Sequence, residues 1–164
     1  MKKKTLILTL LLSLLLTGCE KYPKTITEKV NFVAVGDNLI HDAVYQDARQ
    51  SDGSYNFDFI FENTKSDIEE ADLAVINQET ILVKNNNNVS SYPRFGTPGS
   101  MTKSISDAGF DIVLHATNHT WDKGSEGVEN SLELWKDYPD IKINNYNKIC
   151  TKFFALNRFF KVTD

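Results

Sequence analysis

Hydrophobic positions recur along this chain in two rhythms, after an opening apolar block at residues 6–16 (LILTLLLSLLL). In the first rhythm, short and mostly apolar runs at residues 32–35 (FVAV), 73–76 (LAVI) and 110–114 (FDIVL) each lead into polar residues. These read as strands, and residues 141–143 as a fourth. In the second, residues 56–71 place Phe57, Phe61, Ile68 and Ala71 at helical spacing, and residues 125–135 do the same with Val128, Leu132 and Trp135. Ser100 is positioned to cap a further helix running to Ala108, which Gly109 would close. A loop is expected between, where Asn85 to Asn88 precede Pro93, Gly96, Pro98 and Gly99.

Strands alternating with helices predict an α/β domain with a parallel sheet covered by helices. Nearly continuous apolar strands predict burial on both faces. In open parallel sheets, working residues gather beyond the carboxyl ends of the strands. Past three successive strand ends this chain carries Asp37, then Asn77 and Glu79, then His115, Asn118, His119 and Asp122.

The opening block changes the picture of where the protein works. Lys2, Lys3 and Lys4 precede the apolar run, and Leu16-Thr17-Gly18-Cys19 follows it. A charged segment, a short apolar segment and small residues make a secretion signal, too short for a comfortable membrane span. L-T-G-C resembles the lipobox of bacterial lipoproteins, which implies a signal over residues 1–18 and lipid on Cys19. Two acyl chains there would hold the protein to the outer side of the membrane far better than one. Polar residues 20–30 complete a tether over 19–30.

Removing 18 of the 164 residues leaves 146, enough for one modest domain. The remaining chain carries 15 Lys plus Arg against 22 Asp plus Glu, a formal charge of −7. That balance, with no basic stripe, argues against a nucleic-acid partner. Cys150 is the one cysteine besides Cys19, so with Cys19 lipidated no intrachain disulfide forms.

Two carboxylates, a histidine and an amide oxygen are a hard, mixed donor set suited to Mn²⁺, Zn²⁺, Fe or Mg²⁺. One such ion, or two, would polarise phosphoryl oxygens and activate water. A histidine outside the ligand set could protonate a leaving oxygen. Taken singly, each residue has a plainer reading: Gly36-Asp37 a turn, Glu79 a solvent-facing acid, His119 a cap, Asn118 a turn residue. The residues alone leave three readings open: a metal-assisted hydrolase, a non-catalytic sugar or peptide binder, and a structural remnant.

Four ordered blocks narrow this: VAVGDNLIHDAVYQDA (33–48), ADLAVINQET (71–80), YPRFGTP (92–98) and AGFDIVLHATNHTWDKGSEG (108–127). Together they resemble the bacterial capsule-synthesis family CapA, associated with poly-gamma-glutamate capsule and similar in fold to calcineurin-like metallophosphoesterases. The resemblance spans residues 31–143. It implies Asp37, Glu79 and Asn118 on the metal side, His119 as the acid facing phosphate, and Asp122 orienting His119 or holding its loop. Asn77, His115 and His41 are further pocket candidates, with His41 alternatively capping a helix from Asp42. Anionic capsule polymer or the capsule-synthesis machinery would be the partner, with Lys84, Arg94, Lys103 and Lys123 as available cations.

The sequence departs from the family pattern in two places. Thr117 stands where members commonly repeat asparagine. Members also continue further, with later histidine motifs and strands that complete the sandwich, so only its N-terminal half is expected here. Residues 144–164, including CTKFFALNRFF, do not resemble that continuation. The expectation is therefore a metal site weakened or lost, in an active enzyme, a polymer-binding accessory or an inactive fragment. Changing Cys19→Ser should abolish incorporation of labelled fatty acid and move the protein out of the membrane fraction. Unchanged labelling and fractionation would remove the lipid anchor.

Overall fold

The computed structural model describes residues 27–143. The signal, Cys19 and residues 144–164 lie outside them. Four strands, β1 (Phe32–Asp37), β2 (Leu73–Asn77), β5 (Ile112–Leu114) and β6 (Lys142–Ile143), form one sheet in the order β1-β2-β5-β6. Every pairing in it is parallel. The alternation of strands and helices is the expected α/β arrangement, and these four strands form an open sheet.

Aspartates at the strand entrances fix the register. Asp111 accepts the Ala74 N–H at 2.7 Å, while its own N–H bonds Ala74 O at 2.9 Å. Asp72 likewise accepts the Asn31 N–H at 2.8 Å. At the other end of β1 the register shifts between Val35 and Asp37, so that Asp37 pairs with Asn77 and Gly36 is the extra residue of a bulge.

β2 alternates between buried and half-buried positions, with Ala74 and Ile76 fully enclosed. β1 departs from the expectation of two covered faces. It lies at the sheet edge, and Phe32 and Val35 are 51% and 37% exposed. Its apolar run reads like that of β2, but no described strand pairs with its outer side.

Four helices connect the strands: α1 (Asp42–Ala48), α2 (Lys65–Glu69), α3 (Met101–Asp107) and α4 (Gly124–Leu134). The continuous helix expected over residues 56–71 is broken. Asn56 Oδ1 accepts the Asp58 N–H at 2.8 Å, a local bond that competes with helix, and a 3₁₀ turn follows at Asp58–Ile60. Only its last part is α-helical. The apolar face survives nonetheless, since Phe57, Phe61 and Ile68 are all buried in the core. Gly109 closes α3 as expected, at φ +96°. Ser100 stands at the N-cap position of α3 but makes no side-chain capping bond.

The expected loop after β2 contains a second, two-stranded parallel sheet, β3 (Leu82–Val83) with β4 (Thr97–Pro98). On α4, Val128 and Leu132 pack with Ile81 in a small separate cluster, whereas Trp135 enters the main core. The face expected on one helix thus serves two cores. Phe57 is fully buried and stacks on Tyr55, while Phe59 is 46% exposed. Phe57→Ala should cost about 3–5 kcal/mol of stability. Phe59→Ala should cost less than about 1 kcal/mol. Urea denaturation of both variants would check the contrast.

Candidate functional site

The ends of β1, β2 and β5 are joined by a polar network beneath the surface. Gln78, fully buried, accepts from Asn38 Nδ2 at 2.6 Å and donates from Nε2 to Thr80 O at 2.8 Å. The Thr80 hydroxyl meets that of Thr97 at 2.6 Å. Further out, the Thr117 hydroxyl donates to Glu79 O at 2.6 Å and accepts the His119 N–H at 3.1 Å. Thr117, the departure from the family's asparagine, therefore ties the β5 loop to the β2 loop through its own oxygen.

Above this network the loops deliver two pairs. At the end of β1, Asp37 is exposed and its Oδ1 accepts from Asn77 Nδ2 at 2.6 Å. In the second pair, His119 Nδ1 lies 2.7 Å from Asp122 Oδ2, with both side chains largely buried. A carboxylate accepts only, so Nδ1 carries the proton and Nε2 is left to face outward. Glu79 Oε1 lies 3.9 Å from that Nε2, too far for a hydrogen bond but close enough to interact with a charged ring. Asp122 also holds its loop, accepting the Phe95 N–H at 2.8 Å on the same oxygen, while its carbonyl takes Arg94 Nε at 2.9 Å.

Phe95, 1% exposed, stands between two histidine rings. Its centroid is 4.6 Å from that of His119 and 5.0 Å from that of His41, edge to face in both cases. His41 Nδ1 lies 3.2 Å from the Ser91 hydroxyl. Its side chain makes no cap bond; its carbonyl accepts the Val44 and Tyr45 N–H groups at 3.1 and 3.2 Å instead. Asn118 is exposed beside His119.

The resemblance implies a metal shell of Asp37, Glu79 and Asn118. Among the described residues, no three His, Cys, Asp or Glu side chains are gathered so as to hold an ion. Asp37 is held by an amide, and Glu79 faces a histidine.

His115, a pocket candidate by sequence, is 1% exposed and belongs to the core. Trp135 Nε1–H donates to its Nε2 at 3.0 Å, which makes Nδ1 the protonated nitrogen. The residues that sequence reasoning passed over are Gln78, Asn38, Thr80 and Thr97. Their signal was present in Gln78, a polar residue between Asn77 and Glu79 at a strand end.

A parallel sheet with histidine, carboxylate and amide groups beyond its carboxyl edge defines an α/β protein with a polar strand-end site. Residues 31–143 match the family described as Bacterial capsule synthesis protein PGA_cap, and the chain belongs to that family. Among curated proteins, none matches the chain.

Burial pushes the His115 pKa down from 6.5 to about 3. Above pH 6.5 the ring is neutral in both folded and unfolded chains, so its contribution to stability is complete there. As pH falls from 6.5 toward 3, the unfolded chain takes up a proton that the folded one refuses, and that contribution is lost. The loss should approach about 1.4 kcal/mol per pH unit over this window. His115→Gln keeps an acceptor for Trp135 and should flatten the pH dependence of the urea midpoint. An equally steep dependence in the variant would contradict the assignment.

Proposed function

We propose that this protein is a surface-held accessory of capsule synthesis that binds an anionic polymer at its strand-end loops without catalysing its cleavage. Membership of the capsule-synthesis family supplies the context. The observation favouring binding over metal-dependent hydrolysis is that no ion-holding group of three His, Cys, Asp or Glu exists among the described residues. Lipid on Cys19 would keep the protein on the extracytoplasmic face, next to the polymer and the machinery that makes it. Among the described residues no helix is long and apolar enough to cross a membrane.

A second reading, hydrolysis, is favoured by one feature: the 2.7 Å contact of His119 with Asp122, with Glu79 at 3.9 Å. An imidazole oriented through Nδ1 presents Nε2 as a proton carrier, able to protonate a leaving oxygen or take a proton from water. If Mn²⁺, Zn²⁺, Fe or Mg²⁺ took part, the ion would supply Lewis acidity to a phosphoryl oxygen.

The two readings part in a capsule-formation assay with a strain lacking this chain. Under the accessory reading, Asp37→Asn and His119→Ala each restore capsule to within about twofold of the unmodified protein. A loss of about tenfold or more, with normal protein levels in the membrane fraction, would replace binding by hydrolysis.

A further inference from the structure

We infer that Arg94 and Lys123 form an anion-binding subsite beside the His119–Asp122 pair, one that takes a carboxylate or phosphate group of the ligand. The inference deepens the polymer-binding reading and rests on it. Four cations stood as equals in the sequence, and the fold separates them. Lys84 is neutralised by Glu133 at 2.5 Å, and Lys103 by Asp107. Arg94 and Lys123 line one hollow instead, close enough for the charge of Arg94 to act on the Lys123 ammonium, and among the described residues neither forms a salt bridge with a carboxylate.

Both cations are held by one bond and keep donors to offer. Arg94 uses Nε alone, on the Asp122 carbonyl at 2.9 Å, which leaves the terminal fork of its guanidinium for two parallel bonds to an oxyanion. Lys123 Nζ donates to Ser90 Oγ at 2.7 Å and has further N–H groups to spare. Ser90 is in turn fixed by donating to Arg94 O at 2.6 Å, so a single hydroxyl links the two cationic residues. Around them lies an open hollow of about 500 Å³, lined also by Ser91, Tyr92 and Pro93. Tyr92 is 76% exposed and offers an apolar face at its lip.

The position of Lys123 is built into the packing. A Cβ on Gly96 would come within 2.6 Å of Lys123 Cε, and one on Gly127 within 2.2 Å of Lys123 Cβ. Two glycines from different segments thus make room for one lysine stem. The arrangement has an electrostatic cost that an anion would relieve. Burial first, and the charge of Arg94 second, pull the Lys123 ammonium below its ordinary pKa, outweighing the opposite pull of Asp122. Asp122 has already committed an oxygen to His119 and to the Phe95 N–H.

The test is isothermal titration of the purified full chain, in neutral detergent and low salt, with inorganic phosphate and separately with glutarate. At least one anion should bind saturably, and Arg94→Gln and Lys123→Met should each weaken it by about tenfold or more. Lys84→Met should leave binding unchanged, and the tighter of the two anions identifies the ligand group. Should Lys123→Met fail to fold, Arg94→Gln carries the test, because Arg94 is exposed. Saturable binding of neither anion, or an equal loss in Lys84→Met, would overturn the subsite. The Asp37→Asn capsule assay decides the wider reading independently, since Asp37 is no part of the cation pair.

Discussion

The buried amide of Gln78 is the constraint on which the strand-end surface depends. A polar group removed from water without partners costs on the order of 1–3 kcal/mol. Gln78 avoids that cost only if Asn38 and the Thr80 carbonyl stand where they do. Those partners sit on the β1 and β2 loops, and the Thr80–Thr97 contact extends the linkage to β4. The outer residues inherit their places from this hidden layer. Glu79 follows Gln78 directly, its carbonyl takes the Thr117 hydroxyl, and that hydroxyl also receives the His119 N–H.

Much of the scaffold was legible because hydrophobic runs and strand burial are linked by simple geometry. Residues 73–76 and 110–114 read as strands and fold as strands within a residue or two of the expected bounds. The 56–71 segment shows the limit of periodicity. Its apolar spacing correctly picked out Phe57, Phe61 and Ile68 as core, yet Asn56 captured the Asp58 N–H and diverted the backbone into a 3₁₀ turn. Spacing reports which side chains need cover, and several backbone paths can provide it. β3 and β4 were invisible because two residues carry no period at all. The exposure of β1 was equally unreadable: Phe32 and Val35 look like interior residues until the strand order is known.

At the candidate site, the clustering past strand ends was legible while the pairing was not. Sequence placed Asp37, Glu79, His119 and Asp122 at one edge of the sheet, as parallel topology requires. Which carboxylate meets the imidazole is decided by bonds between loops, chiefly those of Thr117 and Phe95. His115 looked equivalent to His119 by position, but the indole of Trp135 draws it into the core. Two histidines four residues apart therefore live in opposite environments, one kept neutral by burial and one held against a carboxylate.

The bulge at the end of β1 has a consequence for how such a surface is inherited. Side chains alternate between the two faces of a sheet, so one residue more or fewer turns every later one over. The extra Gly36 lets Asp37, two residues after Val35, stand opposite Asn77, the very next residue after Ile76 on the neighbouring strand. The aspartate's place is thus written in the count of residues as much as in their kinds. Deleting the glycine codon would set the aspartate opposite Asn77 in plain pairing, whereas adding a codon that the bulge did not absorb would spare every named side chain and carry the aspartate past Asn77.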